Sequence, residues 1–94
     1  MKIRTRLNEL LGIEVPLLNA PMTPQAGGAL ARAVSAAGGL GMLGLDEDEP
    51  LEAIREQIAI LHESGASFGI GLVAWVVERR PELLDVAIES KPKL

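Results

Sequence analysis

The sequence predicts an α/β protein in which short parallel strands alternate with helices, and three observations support this fold class. Apolar runs too short to be helices alternate along the chain with stretches whose apolar residues recur at helical spacing. Residues 40–45 are apolar at both odd and even positions, which is typical of a strand covered on both faces of a parallel sheet. The predicted connections are short, about two to six residues. The order is one helix followed by strand and helix three times over, which implies parallel strands joined by right-handed crossovers.

The first third of the chain predicts a helix, a strand and a second helix. Thr5 is the predicted N-cap of a short amphipathic helix, and Gly12 ends that helix in the left-handed conformation. A short apolar run that stops at a proline predicts a strand near residues 16–19. Residues 27–37 predict the next helix, because small and branched apolar residues recur there at helical spacing around the single charge of Arg32.

The remainder of the chain predicts two further strands, each followed by a helix. Residues 40–45 form the second strand, and Pro50 takes the first position of the clearest helix, whose apolar stripe runs to Gly65. Residues 68–77 are uncharged and rich in β-branched and aromatic types, which predicts a third buried strand. Pro81 is expected to open the last helix.

The length of the chain bounds its architecture. The 94 residues are expected to form a single partial domain, 1–94. Three strand–helix units of about 30 residues each fall well short of the roughly 250 residues of a closed eight-fold barrel. A three-stranded parallel sheet also leaves two open edges to which other chains can pair. We therefore expect an incomplete domain that continues after Leu94, and self-association through its open sheet edges.

Composition excludes several classes of function. The chain has no cysteine, which excludes disulfides, thiol catalysis and cysteine-based zinc sites, and its one histidine cannot build a multi-histidine metal site. A net charge of -4, no basic run and only two aromatic residues argue against nucleic acid as a partner. The uncharged apolar stretch over residues 64–77 is shorter than the roughly 20 residues that cross a membrane. Since no export signal is visible either, we expect a cytoplasmic protein without a membrane partner.

Three motifs are explained better by structure than by chemistry. Residues 39–44 fit the dinucleotide pattern GxGxxG, but that fingerprint follows a strand and opens a helix, whereas this one follows a helix and coincides with a strand. Its glycines are expected to let a crowded strand approach its neighbours. The acidic residues 46–49 lack the ligand spacing of a calcium loop and suit the N-terminus of the next helix. His62 is predicted in the last turn of that helix, and we assign no catalytic or metal-binding residue.

Two features point to a ligand site, although each has a structural alternative. The loop 19–24 follows the first predicted strand, and parallel α/β proteins bind ligands at the carboxyl ends of their strands. Its prolines stiffen the backbone, so we expect the N–H groups of Ala20 and Met22 to be presented to a ligand, a merely rigid turn being the alternative. Gly69 and Gly71 share one parity of the third strand, where they leave room either for a flat ligand or for crowded interior packing.

Four segments together resemble the N-terminal part of the nitronate monooxygenases, formerly called 2-nitropropane dioxygenases. They are Thr5-Arg6-Leu7 to Leu11-Gly12-Ile13, Asn19-Ala20-Pro21-Met22, Ala36-Ala37-Gly38-Gly39-Leu40-Gly41 and Phe68-Gly69-Ile70-Gly71-Leu72. The resemblance covers nearly all of the chain. Related flavin barrels share parts of the pattern: the flavin-dependent enoyl reductases of fatty-acid synthesis and, more distantly, the inosine monophosphate dehydrogenases.

The resemblance implies a flavin mononucleotide (FMN) enzyme on a TIM barrel with an inserted smaller domain. This chain would be the N-terminal portion of that barrel, about three βα units plus a leading helix. Members of the family oxidise alkyl nitronates with O2 to a carbonyl compound and nitrite. By the resemblance, Ala20, Pro21 and Met22 lie beside the isoalloxazine ring. Gly71 matches a position where many members have an asparagine that hydrogen-bonds the flavin, so this chain departs from the family pattern there.

The resemblance also limits what the chain can do alone. The catalytic histidine and the phosphate-binding loops of the family belong to later barrel units, so the 94-residue chain is expected to be inactive by itself. Two alternatives stay open. A flavin-dependent enoyl or quinone reductase on the same scaffold would have its flavin reduced by NAD(P)H. A non-catalytic interaction module would use the open sheet edges to pair with a partner or a second copy.

Overall fold

The computed structural model describes residues 3–94 as an α/β fold with a parallel two-stranded sheet, so the first two residues of the predicted domain 1–94 lie outside the described residues. The elements in chain order are α1 (Arg6–Leu11), α2 (Gly28–Ala36), β1 (Gly41–Gly44), α3 (Leu51–Ser64), β2 (Phe68–Gly71), α4 (Ala74–Arg79) and α5 (Glu82–Glu89). Within these residues, no helix combines the length and the apolar character that crossing a bilayer requires.

The sheet places consecutive segments of the chain side by side. β1 and β2 run parallel, and their register sets Gly44 opposite Gly71 at the carboxyl ends of both strands. Before β1, Leu18 forms an isolated parallel bridge with Leu40, and the N–H of Leu40 donates to the carbonyl of Leu17 over 2.9 Å. The predicted first strand near residues 16–19 is thus reduced to a single bridge. The physical reason is a proline that follows within three residues and cannot donate to a ladder.

The far side of β2 also has a neighbour. The N–H of Lys93 donates to the carbonyl of Phe68 over 2.7 Å, and the N–H of Ile70 donates to the carbonyl of Leu94 over 2.9 Å. The spatial order is therefore the Leu18 segment, β1, β2 and the segment 93–94. Spatial order thus follows chain order, which is how successive strand–helix units are arranged in a parallel sheet.

Helix ends agree well with the sequence predictions. Gly12 and Gly65 follow α1 and α3 with φ of 65° and 71°, which is the left-handed conformation that a glycine adopts without strain. Pro50 and Pro81 directly precede α3 and α5. The predicted helix over residues 27–37 is confirmed as α2.

The predicted third strand over residues 68–77 is wrong in its second half. β2 ends at Gly71, and α4 occupies Ala74–Arg79. The β-branched composition of this run favours a strand locally, but Val76 is only 3% exposed because the helical conformation buries it in the main core. Burial of this side chain in the main core, where α5 lies against α4, outweighs the local preference of the run.

The two faces of the sheet carry separate apolar clusters. One face packs against α2, α3, α4 and α5 in a cluster that includes Ala31, Leu43, Leu45, Ile54, Ile58, Leu61, Phe68, Val76, Leu83 and Val86. The other face packs on Leu11, Ile13, Leu40 and Met42, with Leu18 beside them. A Cβ atom at Gly41 would overlap the main-chain carbonyl of Ala31, so this glycine lets α2 lie directly on β1. The prediction that the glycines of residues 39–44 serve close packing is confirmed at this position.

A buried asparagine fastens α1 to the segment that follows it. Asn8 is 1% exposed, and its Oδ1 accepts bonds from the N–H and the hydroxyl of Thr5 at 2.7 and 2.8 Å. Its Nδ2 donates to the carbonyls of Ile13 and Glu14 at 3.2 and 2.9 Å. All four bonds lie within residues 5–14, so the amide sets the direction in which the chain leaves α1.

Candidate functional site at the carboxyl edge of the sheet

The carboxyl ends of the three parallel segments form one edge, called here the carboxyl edge: residues 19–24, 44–49 and 71–73. Ala20, Pro21 and Met22 are exposed there, and Gly71 is half-buried as the last residue of β2. The structure brings two of these predicted site residues into direct contact. A Cβ atom at Gly71 would overlap the Pro21 ring, lying 2.6 Å from its Cβ.

The loop 19–24 packs against two glycines, Gly44 and Gly71. A Cβ atom at Gly44, opposite Gly71, would lie 2.6 Å from the carbonyl oxygen of Pro21 and 2.9 Å from Cγ2 of Thr23. At Gly69 a Cβ atom would overlap the sulfur of Met42. Of the two explanations left open for the glycines of β2, the structure therefore favours close packing. The side of Gly71 where a flat ligand could lie holds the Pro21 ring instead.

The main-chain groups of the loop differ from the prediction at one position. The N–H of Met22 donates to the carbonyl of Ala20 over 2.8 Å, so the expectation that it faces a ligand is wrong. The N–H of Ala20 has no acceptor within residues 3–94. The carbonyl of Met22 accepts from the N–H of Ala26 at 2.7 Å, and the carbonyl of Ala26 accepts from Gly44 at 3.0 Å. These bonds tie the loop back to the end of β1.

Asn19 is the residue of this edge that sequence reasoning missed. Its Oδ1 accepts the N–H of Met42 at 2.7 Å, and its Nδ2 donates to the carbonyls of Met42 at 2.9 Å and Ala20 at 3.2 Å. The signal in the sequence is an amide side chain placed directly after an apolar run and two residues before Pro21. Without the partner strand, that signal does not say what the amide binds.

Two arginines of α4 and its C-terminal end hold the acidic loop at this edge. The Nη1 of Arg79 lies 3.0 Å from Oε2 of Glu47. The Nη1 of Arg80 donates to the carbonyls of Glu47 and Glu49 at 3.0 and 2.6 Å, and its Nε donates to Glu82 at 2.9 Å. The hydrogen bond from Arg80 lowers the pKa of Glu82 below its ordinary value. Each guanidinium near the carboxyl edge thus has a carboxylate partner.

The aromatic residues lie at opposite ends of the sheet. Trp75, on the first turn of α4, is 50% exposed, and the guanidinium of Arg79 lies 5.2 Å from its ring centroid. His62 lies beyond the amino end of β2, where its ring is tilted against Phe68 at a centroid distance of 5.6 Å. The Nε2 of His62 bonds to the carbonyl of Ser90 over 2.9 Å. The structure therefore does not bring His62 to the carboxyl edge.

One curated protein is similar to most of this chain. No protein-family model matches the chain. The chain is 38% identical over 85 residues to the nitronate monooxygenase of Paraburkholderia phytofirmans (strain DSM 17436 / LMG 22146 / PsJN). The aligned region is 87% of this chain and 21% of that protein, so the chain spans about a fifth of the length of this relative.

Comparison with solved structures gives the same scaffold in a second protein. FabK from Thermotoga maritima superposes with a TM-score of 0.77 at 33% identity, over 95% of this chain and 28% of FabK. A mutant of the same FabK superposes with a TM-score of 0.74 at 33% identity, over 95% of this chain and 30% of that one. The resemblance predicted from the sequence is confirmed by these comparisons: the chain is similar to part of a nitronate monooxygenase and to part of FabK.

Proposed function

We propose that this chain is part of an FMN-dependent oxidoreductase of the nitronate monooxygenase kind, which oxidises alkyl nitronates with O2 to a carbonyl compound and nitrite. The observation that carries the proposal is the 38% identity to a nitronate monooxygenase over a segment that includes the carboxyl edge. The contact of Pro21 with Gly71 supports it, because predicted site residues 50 positions apart in the chain meet there. We assign the chain one wall of the flavin site and no catalytic residue.

The groups at the carboxyl edge suit an isoalloxazine ring. Ala20, Pro21 and Met22 are exposed, and the N–H of Ala20 is available to donate to a ring acceptor. The absence of side chains at Gly44 and Gly71 lets the loop lie close to both strand ends. We propose that Ala20, Pro21 and Met22 hold the ring, and that Gly71 contributes through the Pro21 ring it supports.

The bound flavin supplies the electron transfer between substrate and O2. The residues of this chain bind and orient: the N–H of Ala20 donates a hydrogen bond, and the apolar side chain of Met22, 66% exposed, excludes water from the ring. Arg79 and Arg80 are already paired with carboxylates, so we expect the FMN phosphate to be bound by other parts of the protein. In βα-barrels that site lies after the seventh and eighth strands.

We further propose that the sheet is the beginning of such a barrel. The four segments at Leu18, β1, β2 and 93–94 lie side by side in chain order, which is the arrangement of consecutive barrel strands. The two similar proteins are about three to five times as long as this chain, which is long enough for the other strand–helix units of a barrel.

A second candidate function is favoured by the likeness to FabK. On this alternative the protein is a flavin-dependent enoyl or quinone reductase, and NAD(P)H reduces the flavin. The two activities use the same scaffold and the same cofactor wall. They differ in the electron donor: the nitronate itself in one, and a nicotinamide cofactor in the other.

The experiment uses the protein at the natural length of its gene, purified without added flavin. The absorption spectrum measures bound flavin, and two assays follow: nitrite release from propyl 2-nitronate in air, and anaerobic bleaching of the flavin by NADPH or NADH. Nitrite above the no-protein rate supports the monooxygenase. Bleaching by NAD(P)H without nitrite supports the reductase. Absence of flavin, after incubation with excess FMN, would contradict both and favour the interaction module.

A further inference from the structure

Asn19 occupies the point where a strand ends and the loop of the proposed flavin site begins. The chain pairs with its neighbour at Leu18, opposite Leu40. If this parallel ladder continued, its next rung would join Ala20 to Met42. The N–H of Met42 would then donate to the main-chain carbonyl of residue 19, and the carbonyl of Met42 would accept from the N–H of residue 21.

The second of those bonds cannot form, because residue 21 is a proline and has no N–H. The side chain of Asn19 supplies both bonds instead. Its Oδ1 accepts from the N–H of Met42 at 2.7 Å, and its Nδ2 donates to the carbonyl of Met42 at 2.9 Å. An amide is the side-chain group that can pair with the donor and the acceptor of one residue together. Met42 is buried, so leaving its carbonyl unpaired would be unfavourable.

The same amide also holds the loop. The Nδ2 of Asn19 donates to the carbonyl of Ala20 at 3.2 Å, and the N–H of Met22 reaches that carbonyl at 2.8 Å. The peptide unit that joins Ala20 to Pro21 is therefore held from two sides. Its orientation directs the Pro21 ring onto Gly71.

We propose that Asn19 is a positioning residue whose amide ends the strand and presets residues 20–22 for the flavin. It acts through the carbonyls of Met42 and Ala20 and touches no ligand itself. A loop held in its binding conformation loses less freedom when the ligand binds, so affinity depends on the amide. The hydrogen bonds alone support a fixed conformation of residues 20–22, whereas the role of that conformation in binding flavin rests on the proposed function.

The test compares Asn19→Asp with a matched control, Asn8→Asp, in the protein at the natural length of its gene. Asn8 also donates from Nδ2 to two main-chain carbonyls, but it lies on α1, away from the carboxyl edge. Both variants replace an amide by a carboxylate facing carbonyls, and both should lower the melting temperature. Only Asn19→Asp should weaken FMN binding, by about tenfold or more on the folded fraction, which corresponds to 1.4 kcal/mol. Asn19→Ser serves as the second variant if Asn19→Asp does not fold.

A flavin-independent readout separates this inference from the proposed function. Amide hydrogen exchange at Met22, whose N–H donates to the carbonyl of Ala20, should accelerate without flavin in Asn19→Asp and stay unchanged in Asn8→Asp. If the wild-type protein binds no FMN, the proposed function fails and the exchange rates decide the presetting alone. Equal exchange in the two variants overturns the inference. So does an FMN dissociation constant that is unchanged in Asn19→Asp or weakened equally in Asn8→Asp.

Discussion

The contact of Pro21 with Gly71 predicts how a single methyl group changes the stability of the chain. In Gly71→Ala the new Cβ would overlap the Pro21 ring and lie 2.6 Å from the Cβ of Pro21, which is closer than non-bonded carbon atoms approach one another. The ring cannot retreat freely, because hydrogen bonds from Asn19 and Met22 hold the carbonyl of Ala20 beside it. We therefore expect the loop to shift as a unit.

The size of the effect follows from what the shift disrupts. Overpacking typically costs about 1–3 kcal/mol, and a strained loop hydrogen bond about 0.5–1.5 kcal/mol. Because the loop is exposed and can move outward, we expect a loss of about 1–2 kcal/mol in the free energy of unfolding of Gly71→Ala. Urea denaturation followed by circular dichroism measures it, with an unchanged slope showing that the transition is the same.

A double-mutant cycle identifies the Pro21 ring as the cause. Pro21→Gly removes the ring atoms that the new Cβ would meet, so in that background Gly71→Ala should cost less than about 0.5 kcal/mol, leaving a coupling of about 0.5 kcal/mol or more. Gly44→Ala is the matched control, because its Cβ would meet the carbonyl oxygen of Pro21, which Pro21→Gly retains. Additive effects of Gly71→Ala and Pro21→Gly would refute the assignment of Gly71 to loop support.

Four further predictions concern the rest of the chain. Asn8→Ala leaves buried main-chain groups unpaired and should lower the free energy of unfolding in urea by about 1–3 kcal/mol; a loss below about 0.5 kcal/mol would show that water replaces the amide. Arg80→Gln should raise the pKa of Glu82 toward its ordinary value in an NMR titration, because the hydrogen bond from Arg80 is the largest of the causes that lower it. In the wild type the stabilisation from this pair is present above the ordinary pKa of the carboxyl and is lost as pH falls through the lowered pKa. A Glu82 pKa that stays as low in Arg80→Gln as in the wild type would contradict the pairing. The 94-residue chain alone should bind FMN more weakly than about millimolar, because a few main-chain bonds of about 0.5–1.5 kcal/mol each do not offset the cost of association; saturable fluorescence quenching at micromolar FMN would contradict this. The same chain should self-associate through its open sheet edges, and light scattering that shows a monomer of 10.0 kDa at all concentrations would exclude self-association.

Local patterns in the sequence were sufficient for the alternation of strands and helices, apart from α4, and for most helix ends. The apolar stripe of α3, the prolines before α3 and α5, and the glycines after α1 and α3 act within a few residues of themselves. Their effects on backbone conformation hold in almost any tertiary setting. The motif that carries the resemblance, residues 19–22, was likewise visible in the chain, as was its place after an apolar run at a strand end.

Tertiary structure alone decided what those residues contact. β2 ends at Gly71 and residues 74–79 are helical, although the composition of residues 68–77 favours a strand, because the helix buries Val76. The Pro21 ring filled the space beside Gly71 that sequence reasoning left open to a ligand. The amide of Asn19 forms hydrogen bonds with the main chain of Met42, 23 residues away in the sequence. In each case the deciding energy comes from packing or hydrogen bonding between different elements of the fold, and a periodicity that spans one element carries no information about which other segment lies against it.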